Sequence, residues 1–367
     1  MKNTFGQSVA VTLFGESHGA EIGAVLDGIA PGVAVDEKDI AAKLAQRRPT
    51  GNISTARRET DAFRIVSGIF NGYTTGTPIC ILIPNGDTRS SDYEATRALA
   101  RPSHADYIAY CKYHGFEDYR GGGHFSGRLT AALVAAGAIV RSALKEKGVR
   151  IGTHVARCAG IDDRAFGEIE GDLDFLETAE FAALDKAQGE KMKAAIAAAA
   201  ADGDSVGGIL ESVVTGIPAG VGEPWFDSVE SLLSHALFSI PAVKGVSFGD
   251  GFALADLRGS EANDPFRMEN GGVCTATNRS GGINGGITNG MPLRISVAVR
   301  PTPTIAKEQD TVDFLRKKEA KIATRGRHDP AIVHRARAVQ DAMIALTIAD
   351  LLAMRYGTDF LSGKGES

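Results

Sequence analysis

Along Val9–Leu13 apolar positions alternate with small or polar ones, and this period-two spacing predicts a strand, with Ile22–Leu26 as its neighbour. Phe63–Phe70 and Pro78–Ile83 read as two further strands, with Asn71-Gly72 as a turn signal between them. Ile151–Cys158, Gly208–Thr215 and Phe252–Leu257 continue the series. Leu293, Ile295, Val297 and Val299 alternate so cleanly that a half-buried strand is expected there. Helical spacing takes over elsewhere. Asp36 is placed as the N-cap of a helix to about Gln46. Leu129, Leu133, Ala136, Val140 and Leu144 recur near the helical period, so Ser126–Lys147 reads as a helix with Gly148 at its C-terminal cap. Glu180–Ala201 and Ser228–Phe238 are further helices. A long last one is expected from Asp329-Pro330, with Asp329 as N-cap and proline in its favoured first position, to about Tyr356. Neighbouring strands mixed with long helices predict an α+β fold rather than a doubly wound sheet. The chain 1–367 reads as one catalytic domain of two related halves, with Ala200–Ser205 the candidate loop between them.

Composition narrows the partners. A net charge of −5 argues against nucleic acid, and 43% hydrophobic with 23% charged residues is ordinary for a globular chain. No apolar run approaches the roughly 18 residues of a membrane span, and no secretion signal precedes Ala10. Cys80, Cys111, Cys158 and Cys274 lie far apart without CxxC spacing. That disfavours a metal site and fits thiols kept reduced in a cytoplasm.

Five loop segments carry candidate chemistry. Gly121-Gly122-Gly123-His124-Phe125-Ser126-Gly127-Arg128 opens a helix whose bare N–H groups suit an oxyanion, with Arg120 and Arg128 flanking it. Gly15-Glu16-Ser17-His18-Gly19 matches the letters of a hydrolase nucleophile elbow, yet only one strand precedes it. The better reading is a histidine on a glycine-bounded turn. Arg47-Arg48-Pro49 and Arg57-Arg58, with Arg101 and Arg327 in other turns, fit a small polyanion. Arg101-Pro102-Ser103-His104-Ala105-Asp106 puts a second histidine on a turn, where Asp106 reads as a cap for the helix that follows. Paired glycines at Gly281-Gly282 and Gly285-Gly286 precede the Leu293 strand and Arg300-Pro301-Thr302-Pro303-Thr304, leaving backbone open to a flat ligand. The absence of G-x-x-x-x-G-K-[ST] argues against a P-loop phosphotransferase. An anion-binding regulatory module and a flavin-dependent reductase are the remaining rivals.

Taken together, the segments FGESHG, RRPTG, ARRET, RPSHAD, YRGGGHFSGR, SGGINGGITNG, RPTPTI and GRHDP, in this order from Phe14 to Pro330, resemble the chorismate synthase family. The resemblance implies loss of phosphate and a proton, in a 1,4 relation, from 5-enolpyruvylshikimate 3-phosphate, with reduced FMN required. It implies a flavin-reducing system, a homotetramer, and a β-α-β sandwich in which antiparallel sheets enclose a helical layer. His18 is then expected to protonate the departing phosphate, His104 to stabilise the reduced flavin anion, and Asp329 to assist proton removal. Arg47, Arg48, Arg57, Arg101 and Arg128 fall at positions for substrate or NADP anions. His124, Phe125, Ser126, Pro241, Ala242, Gly285, Arg300, Pro301, Thr302, Pro303, Thr304 and Arg327 fall at positions for FMN. Many relatives have Arg-Ser-Ser-Ala-Arg-Glu where this chain has His124–Leu129.

Overall fold

The computed structural model describes residues 2–49, 51, 53–55, 60–86, 97–269, 271–324 and 329–362. Two five-stranded antiparallel sheets frame it. The first has the spatial order β1 (Thr4–Phe5), β2 (Ala10–Gly15), β3 (Glu21–Asp27), β7 (Ile79–Pro84) and β4 (Arg64–Ile65). The second runs β11 (Val243–Phe248), β16 (Leu293–Val299), β10 (Gly208–Thr215), β8 (Arg150–Cys158) and β9 (Ile161–Asp162). Alternation sets which face is buried: Ile79, Ile81 and Ile83 of β7 and Leu293, Ile295, Val297 and Val299 of β16 all point into the core.

Among the described residues the helices of eight residues or more are α1 (Glu37–Arg47), α2 (Asp106–Tyr113), α3 (Thr130–Glu146), α4 (Ile169–Thr178), α5 (Lys186–Ala201), α6 (Val229–Phe238) and α7 (Val333–Tyr356). Helix α3 packs on β2, β3 and β7, while α7 packs on β8 and β10, and the two helices pack on each other. The layers are therefore sheet, helices, sheet: the expected α+β sandwich. Both helices are covered on nearly every side, α3 almost wholly through apolar side chains and α7 with His334, Arg337, Gln340, Asp341 and Asp350 buried among its apolar ones. Gly137 makes their crossing close, since a Cβ there would stand 2.4 Å from the Ala342 Cβ. The stretch Gly127–Glu146 is long and apolar enough to cross a membrane, contrary to the sequence expectation, but 78% of it is buried in the fold. Its apolarity serves this central layer.

Several boundaries depart from the sequence reading. Phe63–Phe70 is not one strand. Gly68 (φ +81°) breaks it where a Cβ would lie 2.6 Å from Ile79, leaving β4 and β5 (Ile69–Phe70). The Asn71-Gly72 turn joins β5 to β6 (Tyr73–Thr74), not to β7. Phe252–Leu257 is a 3-10 turn over Gly251–Asp256, and the neighbouring segment β11 supplies the sheet edge instead. Helix α5 begins at Lys186, capped by Asp185, because Ala182 is drawn off to pair its carbonyl with the Val155 N–H. Helix α4 was not expected at all. The final helix starts at Val333, so Asp329 is not its N-cap and Pro330 does not take the first position.

Candidate active site

The glycine run is the pivot. Gly121, Gly122 and Gly123 have φ of +59°, +84° and +53°, a left-handed path that favours glycine. It threads between two imidazoles. A Cβ on Gly121 would lie 2.3 Å from the His18 Cε1, and one on Gly122 would lie 3.3 Å from the His104 Cε1. The Gly123 carbonyl accepts from the Ser17 N–H at 3.1 Å, tying the run to the His18 loop. Asn85 holds that loop from below: its Nδ2 donates to the carbonyls of Glu16 (3.0 Å) and Gly19 (2.9 Å). Ser17 is fully buried, and its hydroxyl meets no partner among the described residues.

The flanking arginines behave differently from the expectation of open forks. Arg120 gives Nε and Nη2 to Asp118, both at 2.8 Å, and this fork holds the Asp118 carboxyl below the usual carboxylate range against burial. Arg128 is buried. Its Nη1 meets Asp61, its Nε donates to the Asn85 Oδ1 at 2.9 Å, and its Nη2 donates to the Pro84 carbonyl at 3.0 Å. Arg47 shares Asp61 and gives its Nε to Thr130 at 2.8 Å. Asp61 and Asn85, neither evident from sequence, thus organise the base of the site. Arg48 differs: its Nε is buried with no hydrogen-bond partner among the described residues.

Three contiguous cavities open here. The largest, about 840 Å³, is lined by His104, His124, Phe125, Ser126, Pro241, Ala242, Arg300, Thr302, Pro303, Thr304 and Asp329. Its charged lining is Lys2, Lys244 and Arg300 against Asp329 alone, so the chamber is cationic inside an acidic protein. A second cavity of about 250 Å³ shares Ser126, Pro241 and Asp329 with it and adds Arg47, Arg48, Arg128 and Arg335. A third, about 370 Å³, shares His104, His124 and Phe125 and adds Arg101 and Asp106. His18 lines none of the three and stands behind Gly121. Gly285 forms the turn between β14 (Ile283–Asn284) and β15 (Ile287–Thr288), and neither it nor Pro301 lines these cavities. Arg57 and Arg327 lie outside the described residues.

Specific bonds set the walls. Ala242 (φ +76°) accepts from the Arg300 N–H at 3.0 Å, and the Arg300 Nη2 reaches the Ser103 carbonyl at 2.7 Å, linking the second sheet to the His104 loop. Asp329 accepts from the Thr55 N–H at 2.9 Å and from the Arg335 Nη1 at 2.5 Å. The His124 Nδ1 donates to the Gly15 carbonyl at 2.9 Å. Asp106 does not cap α2; its carboxylate grips Arg101 and His104 instead.

A chorismate synthase family model matches residues 9–353. The chain belongs to the chorismate synthase family. It is 46% identical over 350 residues to the chorismate synthase of Thermococcus gammatolerans, covering 95% of this chain and 97% of that one. It is 44% identical over 358 residues to that of Dehalococcoides mccartyi, covering 97% and 98%. A solved structure described as a crystal structure of chorismate synthase superposes with a TM-score of 0.77 at 29% identity, over 98% of this chain and 95% of that chain. The chain is thus an enzyme of a family that acts on a small molecule.

Proposed function

We propose that this protein converts 5-enolpyruvylshikimate 3-phosphate to chorismate, as a carbon–oxygen lyase of aromatic amino-acid biosynthesis that requires reduced FMN. The observation that carries the reading is convergence: His104, Ser126, Pro241, Arg300 and Asp329, far apart in sequence, meet on one cavity. That cavity has the volume of a cofactor site. The residues present fit a flat anionic group. Lys2, Lys244 and Arg300 supply positive charge, and the Thr302 Oγ1 and Arg300 Nε are buried without hydrogen-bond partners among the described residues. Ser126, Ala242, Arg300, Thr302 and Thr304 would hold FMN. Bound there in its reduced form, FMN would supply electron density to the breaking C–O bond without net redox change.

The chain's own groups do the rest. The phosphate and two carboxylates of the substrate meet Arg48 and Arg335 in the adjoining cavity, whose inner wall Arg47 and Arg128 keep rigid through Asp61. His18, which the missing Cβ of Gly121 lets pack against the wall of the larger cavity, would donate a proton to the leaving phosphate through a water on the cavity side of that glycine. His104 would stand beside the flavin, where its open nitrogen can take up a proton and so offset the charge of the reduced flavin, and Asp329 would take part in proton removal.

The oligomeric part of the proposal, a homotetramer, is supported by exposed apolar side chains on the second half. In β12 (Phe266–Glu269) and β13 (Gly272–Thr275), Phe266, Met268 and Val273 face outward, as do Trp225, Phe226 and Phe252 elsewhere. The four free cysteines fit a cytoplasmic enzyme.

Anaerobic incubation with substrate and FMN, with dithionite or NADPH as reductant, tests the reading. One phosphate should appear per substrate consumed, only when the flavin is reduced, without net flavin oxidation. Silence under reduced flavin removes the lyase assignment; stoichiometric NADPH consumption favours the reductase. Comparing the two reductants also shows whether an outside reducing system is needed.

A further inference from the structure

Asp106 occupies the first turn of α2, where an acidic residue ordinarily serves the helix dipole. Its side chain does something else. Oδ2 takes the Arg101 Nε at 2.7 Å and Oδ1 takes the Arg101 Nη2 at 2.6 Å, a two-point fork. The same Oδ1 lies 2.8 Å from the His104 Nδ1. The Arg101 Nη2 is also 3.1 Å from that Nδ1. A guanidinium can only donate, so two arrangements compete. With the imidazole proton on Nε2, the Nδ1 lone pair would accept from Arg101 but would face a carboxylate oxygen at 2.8 Å, two acceptors in contact. With the proton on Nδ1, the Arg101 Nη2 and the His104 Nδ1 both donate to the Asp106 Oδ1, their own 3.1 Å separation is that of two donors converging on one acceptor, and no two acceptors are left facing each other. Burial opposes ionisation of Asp106, but the hydrogen bonds from Arg101 and His104 outweigh it and hold the carboxyl well below the usual range. The carboxylate is therefore present as a permanent acceptor.

We propose that Asp106 is a positioning residue for the proton chemistry of His104: it fixes the proton on Nδ1, so that Nε2 is the nitrogen presented to the ligand cavity. The ring's other edge faces Gly122, whose Cβ would lie 3.6 Å from Nε2, and Gly122 and His104 line one cavity. Side-chain exposures of 20% for His104 and 18% for Asp106 leave the ring reachable from the cavity while the pair stays largely shielded from solvent. Arg101 is consumed in this arrangement, its fork filled by Asp106 rather than held open for an anion. Its role here is to clamp the carboxylate that orients the histidine.

The kinetic part of this inference rests on the lyase reading; the tautomer part does not. Nitrogen-15 NMR of histidine-labelled free enzyme, with His104→Gln to assign the signal, should show Nδ1 protonated in the wild type at neutral pH. An Nε2–H signal for His104 overturns the proposal without any Asp106 variant. In Asp106→Asn the side-chain amide offers either a donor or an acceptor, and the enforced tautomer should give way to a mixture. A wild-type signal in that variant also overturns it. In the anaerobic phosphate-release assay Asp106→Asn should lower kcat at least about tenfold, the lower part of what positioned proton transfer contributes, with KM changed less than about threefold. Asp106→Glu, which keeps the charge, should recover part of the loss. Wild-type kcat in Asp106→Asn overturns the positioning role. A wild-type enzyme that releases no phosphate refutes the lyase reading and leaves the tautomer result standing.

Discussion

Among the described residues His104 and His154 both meet carboxylates, and they differ in one respect. His104 has Nδ1 on Asp106 and its other nitrogen toward a cavity. His154, in β8, is fully buried, with Nδ1 on Asp163 at 2.9 Å and Nε2 on Glu211 at 3.1 Å. Phe166 covers its ring edge-on, at 4.8 Å between centroids. Glu211 takes Arg294 as well, and Asp163 takes the N–H groups of Leu184 and Asp185. Burial pushes the His154 imidazole toward its neutral form, but bonds to Asp163 and Glu211 outweigh it and raise its pKa. The same chemical pair thus leaves one nitrogen open to a cavity at His104 and forms a cross-brace with both nitrogens closed at His154. The distinction extends to the arginines. Arg47 and Arg128 are closed on Asp61, whereas the buried Arg48 Nε has no partner among the described residues.

The comparison breaks most visibly in the rates. His104→Ala should lower kcat for phosphate release by about 10²- to 10⁴-fold with little change in KM, because an open imidazole acts on the reaction. His154→Gln should leave kcat within about twofold of wild type. Equal losses in the two variants would erase the distinction. The closed groups should show their effect in stability. Asp61→Asn strips a buried charge partner from two guanidiniums whose side chains are 8% and 2% exposed. It should cost about 3–5 kcal/mol, read from the midpoint of denaturant unfolding. His154→Gln leaves buried carboxylates short of a donor and should cost about 1–3 kcal/mol in the same measurement.

The smallest effect is in pH dependence. A raised imidazole pKa contributes stability that is complete below the ordinary histidine value and fades as pH rises through the raised one. The lowered carboxyls of Asp163 and Glu211 contribute above the ordinary carboxylate values and fade in acid. The brace should therefore be strongest between about pH 4.5 and 6.5. The Tm difference between wild type and His154→Gln should be larger at about pH 5.5 than at about pH 8.5. His334 runs the other way: burial, reinforced by Arg335, lowers its pKa to about 4, so it is neutral in the fold and opposes folding as the medium becomes acid. A Tm gap for His154→Gln that is flat over this range would show that the His154 brace carries no charge.

The sequence carried what is local. Alternation located β16, the Asp36 cap set α1, the Ser228–Phe238 stretch gave α6, and motif loops marked His18, His104 and the glycine run. It could not carry partners brought together from afar. Asp61 lies 67 residues from Arg128, and nothing local distinguishes it from any other loop aspartate. The open-fork reading of Arg120 and Arg128 missed this for the same reason. Asp106 resembles a helix cap because it stands at the start of α2, one residue past the cap position that Ala105 holds, while its carboxylate turns back to Arg101 and His104. Phe252–Leu257 has the letters of a strand, but Gly249 and Gly251, at φ of +56° and +55°, end the sheet just before it.

A crystal grown with reduced FMN and the enolpyruvyl substrate tests the central claim most directly. The account predicts both ligands in the joined cavities between the glycine run and the Ala242–Arg300 wall, with His104 in contact with one of them directly or through one water and Arg48 at an acidic group of the substrate. Ligands bound elsewhere on the molecule, with His104 touching neither, would contradict it.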